Sequence, residues 1–205
     1  LPDGMTFTHE QVRTALEHTV GHDGIVDINL RAAVLLERGA PSTERQYRRA
    51  RHALAAARLS AGDGYLAISI AQDAAAALVA SNEAERAAEL LAAACETHEA
   101  AGLGRPSAAL LAAHAQAVLR CGRLASAREL FERAALANPT PSTLYRLGTL
   151  LAKSGEASRA RAAFDSVVKY LMGADEAGND LPMRLQGLER SYLVNMSRRD
   201  PDVEK

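Results

Sequence analysis

The amino-acid sequence predicts an all-α chain folded as a row of antiparallel helical hairpins, and three observations carry that prediction. Apolar residues recur at spacings of three and four along most of the 205 residues, and no run alternates apolar with polar, so helices are expected and strands are not. The breaks between helical runs in the middle of the chain are short, which forces consecutive helices to lie antiparallel. Gly122, Ala127, Phe131 and Ala134 return as Gly155, Ala160, Phe164 and Val167, a fixed offset of 33 residues that marks an internal repeat.

The elements follow in order. Thr8 with Gln11 three residues on reads as a capping box opening a helix to about Val20, with Val12, Leu16 and Val20 inward. Gly21 and Gly24 end it. A second helix runs from about Ile25 to Arg38 and stops at Gly39 before Pro41. Ser42 or Thr43 caps the third, in which Tyr47, Ala50, Leu54 and Ala57 share one face and Arg45, Arg48, Arg49 and His52 the other. Gly62, Asp63 and Gly64 break it. Helices are then expected from about Tyr65 to Ala80 and Asn82 to Ala101, followed by a break at Gly102, Gly104 and Pro106. Four more run from about Ser107 to Cys121, Leu124 to Ala137, Thr140 to Ser154 and Ala157 to Leu171. Ala174 to Asp180 reads as a linker, and after Pro182 a last helix with Leu185, Leu188 and Tyr192 on one stripe reads as a cap. The charged stretch from Arg198 to Lys205 is expected to fray.

Each hairpin has an apolar face too wide to bury within itself, so stability requires stacking on the next. The repeated residues resemble the tetratricopeptide repeat. Leu144, Leu147, Gly148, Leu151, Ala160 and Phe164 match its pattern in one copy, and Leu111, Ala115, Val118, Ala127, Phe131, Ala134 and Pro139 in the copy before, with His114 where Leu is usual. Ala75, Leu78, Ala87, Leu91 and Ala94 form a weaker third copy, lengthened because Ala87 to Ala127 spans 40 residues. That longer repeat resembles those of bacterial signalling regulators. The resemblance implies a right-handed α-α superhelix with a C-terminal capping helix. Divergent hairpins would occupy 1–64, repeats 65–171, and linker, cap and tail 172–205, as one continuous domain. Small residues at Ala115 and Ala127, or Gly148 and Ala160, are placed where the two helices of a hairpin cross most closely, with Phe131 and Phe164 between hairpins. Proteins of this family bind peptides or extended segments along the first helix of each hairpin. Carried over by register, that groove is Gln72, then Gln116 and Arg120, then Tyr145, Thr149 and Lys153. This polar mixture with two cations suits a peptide backbone and an acidic group or C-terminal carboxylate. The Lys and Asn arrangement of the chaperone-binding carboxylate clamp is not present.

Composition narrows the function classes. A formal net charge of −1 gives no overall field to steer the chain to nucleic acid or anionic membrane. Arg far outnumbers Lys, of which only Lys153, Lys169 and Lys205 occur, and this reads as a GC-rich bacterial genome. Cys95 and Cys121 lie in apolar helical runs, so no disulfide framework is expected and a reducing cytoplasm is the default. No apolar stretch reaches the roughly 18 residues that span a bilayer, and the N-terminus does not read as a signal peptide. A start at Leu1 predicts a domain of a longer protein or a processed chain.

Candidate chemistry is sparse. Cys95, His98, His114 and Cys121 lack the tight-turn ligand spacing of zinc modules, and Cys95 and Cys121 read as small core or near-core residues, so no metal is expected. His18 and His22 have ligand spacing, but Gly21 interrupts their helix, and with His9 a helix length away they read as a solvated helix end. Asp63-Gly64 and Gly102-Leu103-Gly104 are turns rather than phosphate loops, and Ser60, Ser69 and Ser81 have no nearby His and acid partners. No enzyme activity and no cofactor are expected. Arg45 to Arg58 holds five arginines and no acid, a basic face (Arg45, Arg48, Arg49, His52) able to meet phosphate or an acidic partner, although a charge run is usually a solvated face. The expected function is therefore a scaffold or adaptor domain binding a protein or peptide, with homodimerisation a further option. The alternative is a ligand- or peptide-sensing domain of a larger bacterial regulator, in which the arginine helix meets DNA or an acidic partner.

Overall fold

A computed structural model describes residues 9–40, 42–60 and 64–176, with side chains placed for those from 19 to 172. The described residues form eight helices and no strand: α1 His9–Glu37, α2 Thr43–Leu59, α3 Gly64–Ala80, α4 Ala84–Ala100, α5 Ala108–Arg120, α6 Leu124–Ala137, α7 Pro141–Lys153 and α8 Ala157–Glu176. The all-α class and the run of sequential hairpins agree with the expectation. Thr8 and the expected capping helix after Pro182 lie outside the described residues.

Two boundaries differ from the sequence reading. The first two expected helices are one run, α1, interrupted only at Gly21 (φ 70°, ψ 171°), after which the chain resumes helical geometry at once. A positive φ is cheap for Gly, so one residue makes the bend where a four-residue break from Gly21 to Gly24 was expected. At the other end α8 continues past Leu171 to Glu176, because Gly173 alone weakens a helix by only about 1 kcal/mol and does not stop it. Elsewhere the caps are those the sequence offers. The hydroxyls of Ser42, Ser107 and Thr140 accept from the backbone N–H three residues on, at 3.2, 3.2 and 3.3 Å.

One turn design closes four of the helices, α4 among them, where the Leu103 N–H donates to the His98 carbonyl with Gly102 at φ 69°. After α3, α5 and α7 the N–H groups of Glu83, Arg123 and Glu156 donate to the carbonyls of Leu78, Val118 and Leu151. Asn82, Gly122 and Gly155 hold the left-handed position, at φ 64°, 76° and 82°. This is a Schellman closure, which favours Gly and tolerates Asn. The weaker third copy of the repeat thus ends its first helix as the two clear copies do.

The chain divides into two units, 1–123 and 124–205. In the first, α1 packs on α2, α2 on α3, α3 on α4 and α4 on α5, with α2 also touching α4 and α3 touching α5. Alternate helices therefore share a layer, α2 with α4 and α3 with α5. The core between them is alanine-rich. Ala50, Ala71, Ala87, Ala94 and Ala115 are fully buried, letting helices approach closely around Leu78, Leu90, Leu91 and Leu110. Each such leucine contributes about 2 kcal/mol through burial. In the second unit α6 packs on α7 and α7 on α8. A methyl group on Gly148 would lie 2.8 Å from Phe164 Cε1, so the ring rests on bare backbone within the α7/α8 hairpin. The sequence reading put Phe164 between hairpins instead; the missing side chain at Gly148 makes the space that draws it inward.

Ion pairs bind these layers along the turn ends. Arg86 of α4 reaches Glu44 of α2 as well as Glu83, and Arg123 reaches Glu85 at 2.8 Å. In the second unit Arg159 bridges Glu156 and Glu132, and Arg128 pairs with Glu156.

Candidate protein-docking face

The α3–α5 layer of the first unit presents an open face with few commitments of its own. On α3 the residues Leu66, Ser69, Asp73, Ala76 and Ala80 recur every three or four positions and are all exposed, with Tyr65 alongside. On α5 the neighbouring strip is Ala109 and Arg120, both exposed, with Ala113 and Gln116 half-buried between them. The floor is alanine, so a partner backbone can approach closely. Tyr65 and Leu66 are the large apolar side chains here, 68% and 61% exposed. Tyr65 stands edge-on to the buried His98 ring, centroids 6.1 Å apart, with its other surface free.

Three of the six expected groove residues lie in this layer. Gln72 is half-buried on α3. Arg120 is exposed, and its Nη1 meets only the Val79 carbonyl, at 3.5 Å. Gln116 is half-buried, and its amide oxygen is shielded from water with no hydrogen-bond donor. A buried amide oxygen costs about 1–3 kcal/mol until a donor meets it. The other three share α7 in the second unit. There the Tyr145 ring packs against Phe164 at 5.8 Å, the Thr149 hydroxyl donates to the Tyr145 carbonyl at 2.9 Å, and Lys153 is exposed at the helix end. Tyr145 is thus largely a packing residue, and the hydroxyl of Thr149 is used within its own helix.

The arginine helix is committed internally. Arg48 pairs with Glu44 and Arg49 with Glu37, each at 2.6 Å, while Arg58 meets Glu96 and donates to Thr97 Oγ1 at 3.1 Å. Arg45 turns back to the Ala40 carbonyl. Tyr47 lies under Arg86, 4.1 Å from its centroid, with Arg51 at 5.7 Å. Arg86 and then Arg48 hold the Glu44 carboxyl below its usual range, and Glu44 and Glu83 in turn raise Arg86. His52 Nδ1 donates to Asn29 Oδ1 at 2.9 Å, and burial followed by nearby Arg51 lowers the pKa of His52.

The remaining candidates serve packing. His98 Nδ1 donates to the Gly104 carbonyl at 3.4 Å, and Cys121 Sγ donates to the Ala117 carbonyl at 3.2 Å. Cys95 and Cys121 are not joined in a disulfide, and His114 is half-buried on α5. Among the described residues no three His, Cys, Asp or Glu side chains form a metal-binding group. His22 Nε2 donates to the Leu59 carbonyl at 2.8 Å, tying α1 beyond its bend to the end of α2. His9 and His18 have no described side chains. Among the described residues no helix is long and apolar enough to cross a membrane.

The sequence reading missed Tyr65, Leu66 and Asp73. The signal was available, since two large apolar residues open a helix directly after Gly62-Asp63-Gly64 and Ser69, Asp73, Ala76 and Ala80 continue their stripe. No protein-family model matches this chain, and no curated protein matches it.

Proposed function

We propose that this chain is a tetratricopeptide-like repeat module, forming the superhelix that resemblance implies. It is a non-enzymatic scaffold or adaptor in the cytoplasm, holding a protein or peptide segment on the α3–α5 face. The observation that carries this reading is an asymmetry of commitment between the two layers of the first unit. Most arginines of α2 and α4 are matched by carboxylates, whereas the α3–α5 face keeps exposed Tyr65 and Leu66, an Arg120 with no carboxylate partner among the described residues and the Gln116 oxygen without a donor. Tyr and Arg are the residue types that anchor interfaces, and an orphaned amide oxygen can turn to meet a partner's N–H. The regulator alternative, with an anion on the arginine helix, draws no support from guanidiniums that already have partners.

A photo-crosslinking residue tests this. Placed at Ser69 on the open face it should capture a protein in cells, and placed at Glu89, exposed on α4, it should not. Equal capture at both positions, or none at Ser69, would refute the face.

A further inference from the structure

We infer that the partner of the α3–α5 face is the same face of a second copy of this chain, an identification that rests on the docking role proposed above. Asp73 is the only charged residue of α3 and Arg120 the only one of α5. Both are exposed, and neither has an oppositely charged partner among the described residues. They do not meet within one copy. Arg120 reaches Val79, six residues beyond Asp73 and about 9 Å further along α3.

A two-fold axis through the midpoint of the two side chains brings each onto its opposite. In such an isologous interface residue i meets j and j meets i, so one dyad forms two Asp73–Arg120 pairs. The face between the two charges carries small residues: Ala76 is exposed on α3 and Ala113 half-buried on α5, so helices of two copies could approach closely there. Gln116, on the same face, is placed to turn its amide toward the other copy. A heterologous acidic segment is the competing occupant, and it would have to lie beside Asp73, which repels it.

The test is self-association of the full chain, followed by sedimentation up to about 0.5 mM because small faces associate weakly. Wild type should dimerise, and Asp73→Arg and Arg120→Asp should each weaken association at least about tenfold through like-charge juxtaposition. The double variant Asp73→Arg with Arg120→Asp should regain wild-type association. Both sites are exposed, and unchanged circular dichroism and urea midpoints establish that each variant is folded. A monomeric wild type, single reversals without effect, or a double variant that stays monomeric overturns the proposal. If Arg120→Asp abolishes and Asp73→Arg strengthens capture of a different protein by the Ser69 crosslinker, the face docks an acidic partner and only the second-copy identity is lost. A monomer with no capture at Ser69 sinks both readings.

Discussion

Replacing Gln116 by Met should make the protein more stable, against the usual direction of a core-edge mutation. Met matches Gln in length and helix propensity, so the change isolates the amide. The wild-type oxygen is shielded from water and has no donor, a state that costs about 1–3 kcal/mol when the group is buried. The residue as a whole is half-buried, which places the expected gain near the lower end, about 1 kcal/mol. For a chain of this length that is about 2–4 °C in Tm. Urea denaturation followed by circular dichroism measures it, with the m-value as a check that only the folded state has changed. Gln116→Glu should move the other way, since an ionised carboxylate at the same place loses more solvation. Partner binding should weaken in both variants. If Gln116→Met destabilises by 1 kcal/mol or more, the oxygen has a donor in solution and the argument that Gln116 is kept for docking fails.

Further outcomes follow from the same contacts. Gly148→Ala adds a methyl 2.8 Å from Phe164, so overpacking of about 1–3 kcal/mol should outweigh the helix-propensity gain of about 1, and Phe164→Leu in that background should recover part of the loss in a urea titration. Arg86→Gln removes the guanidinium that links α4 to α2 through Glu44 and Glu83. Its destabilisation should be measurable at low ionic strength and shrink as NaCl is raised toward 1 M, whereas a salt-independent loss would point to packing on Tyr47 instead. Because burial lowers the pKa of His52 in the folded state, its contribution to stability is present above the unfolded value near 6.5 and declines as the pH falls through it toward the folded value; His52→Asn should flatten the pH dependence of the urea midpoint between about 7 and 5. Arg48→Glu with Arg49→Glu should lower stability by setting like charges against Glu44 and Glu37, and should leave docking at the α3–α5 face intact.

How much of this was legible in the sequence depends on the range of the interaction that decides it. Helix boundaries from Asn82 to Ser154 came out within about two residues, because caps and Schellman turns are written locally in Ser107, Gly122, Thr140 and Gly155. The bend at Gly21 and the length of α8 were misjudged, since a glycine inside a helical run can end it, bend it or pass unnoticed depending on what packs nearby. The arginine helix is instructive in another way. Arg45 to Arg58 contains no acid, yet Glu44 precedes it by one residue, and Glu37 and Glu96 arrive from α1 and α4. Charge balance on a helix is a property of its neighbours, and a linear scan has none.

The same reasoning says where specificity should be sought. The residues that repeat, Ala115, Ala127, Phe131, Gly148 and Ala160, are buried, and a partner cannot read side chains that it does not touch. What differs between copies must carry recognition, and on α5 and α7 the copies part at register-equivalent positions. Gln116 answers to Thr149 and Ala112 to Tyr145. On α7 both of those residues spend their capacity inside the hairpin, Thr149 on the Tyr145 carbonyl and Tyr145 on Phe164. On α5 the equivalent groups are a half-buried alanine and an amide oxygen without a donor. A repeat that has closed its own contacts gains stability and loses the means to bind; under the docking role proposed above, the first unit keeps that means on α3 and α5, and a gain in stability on Gln116→Met would be the measurable sign of it.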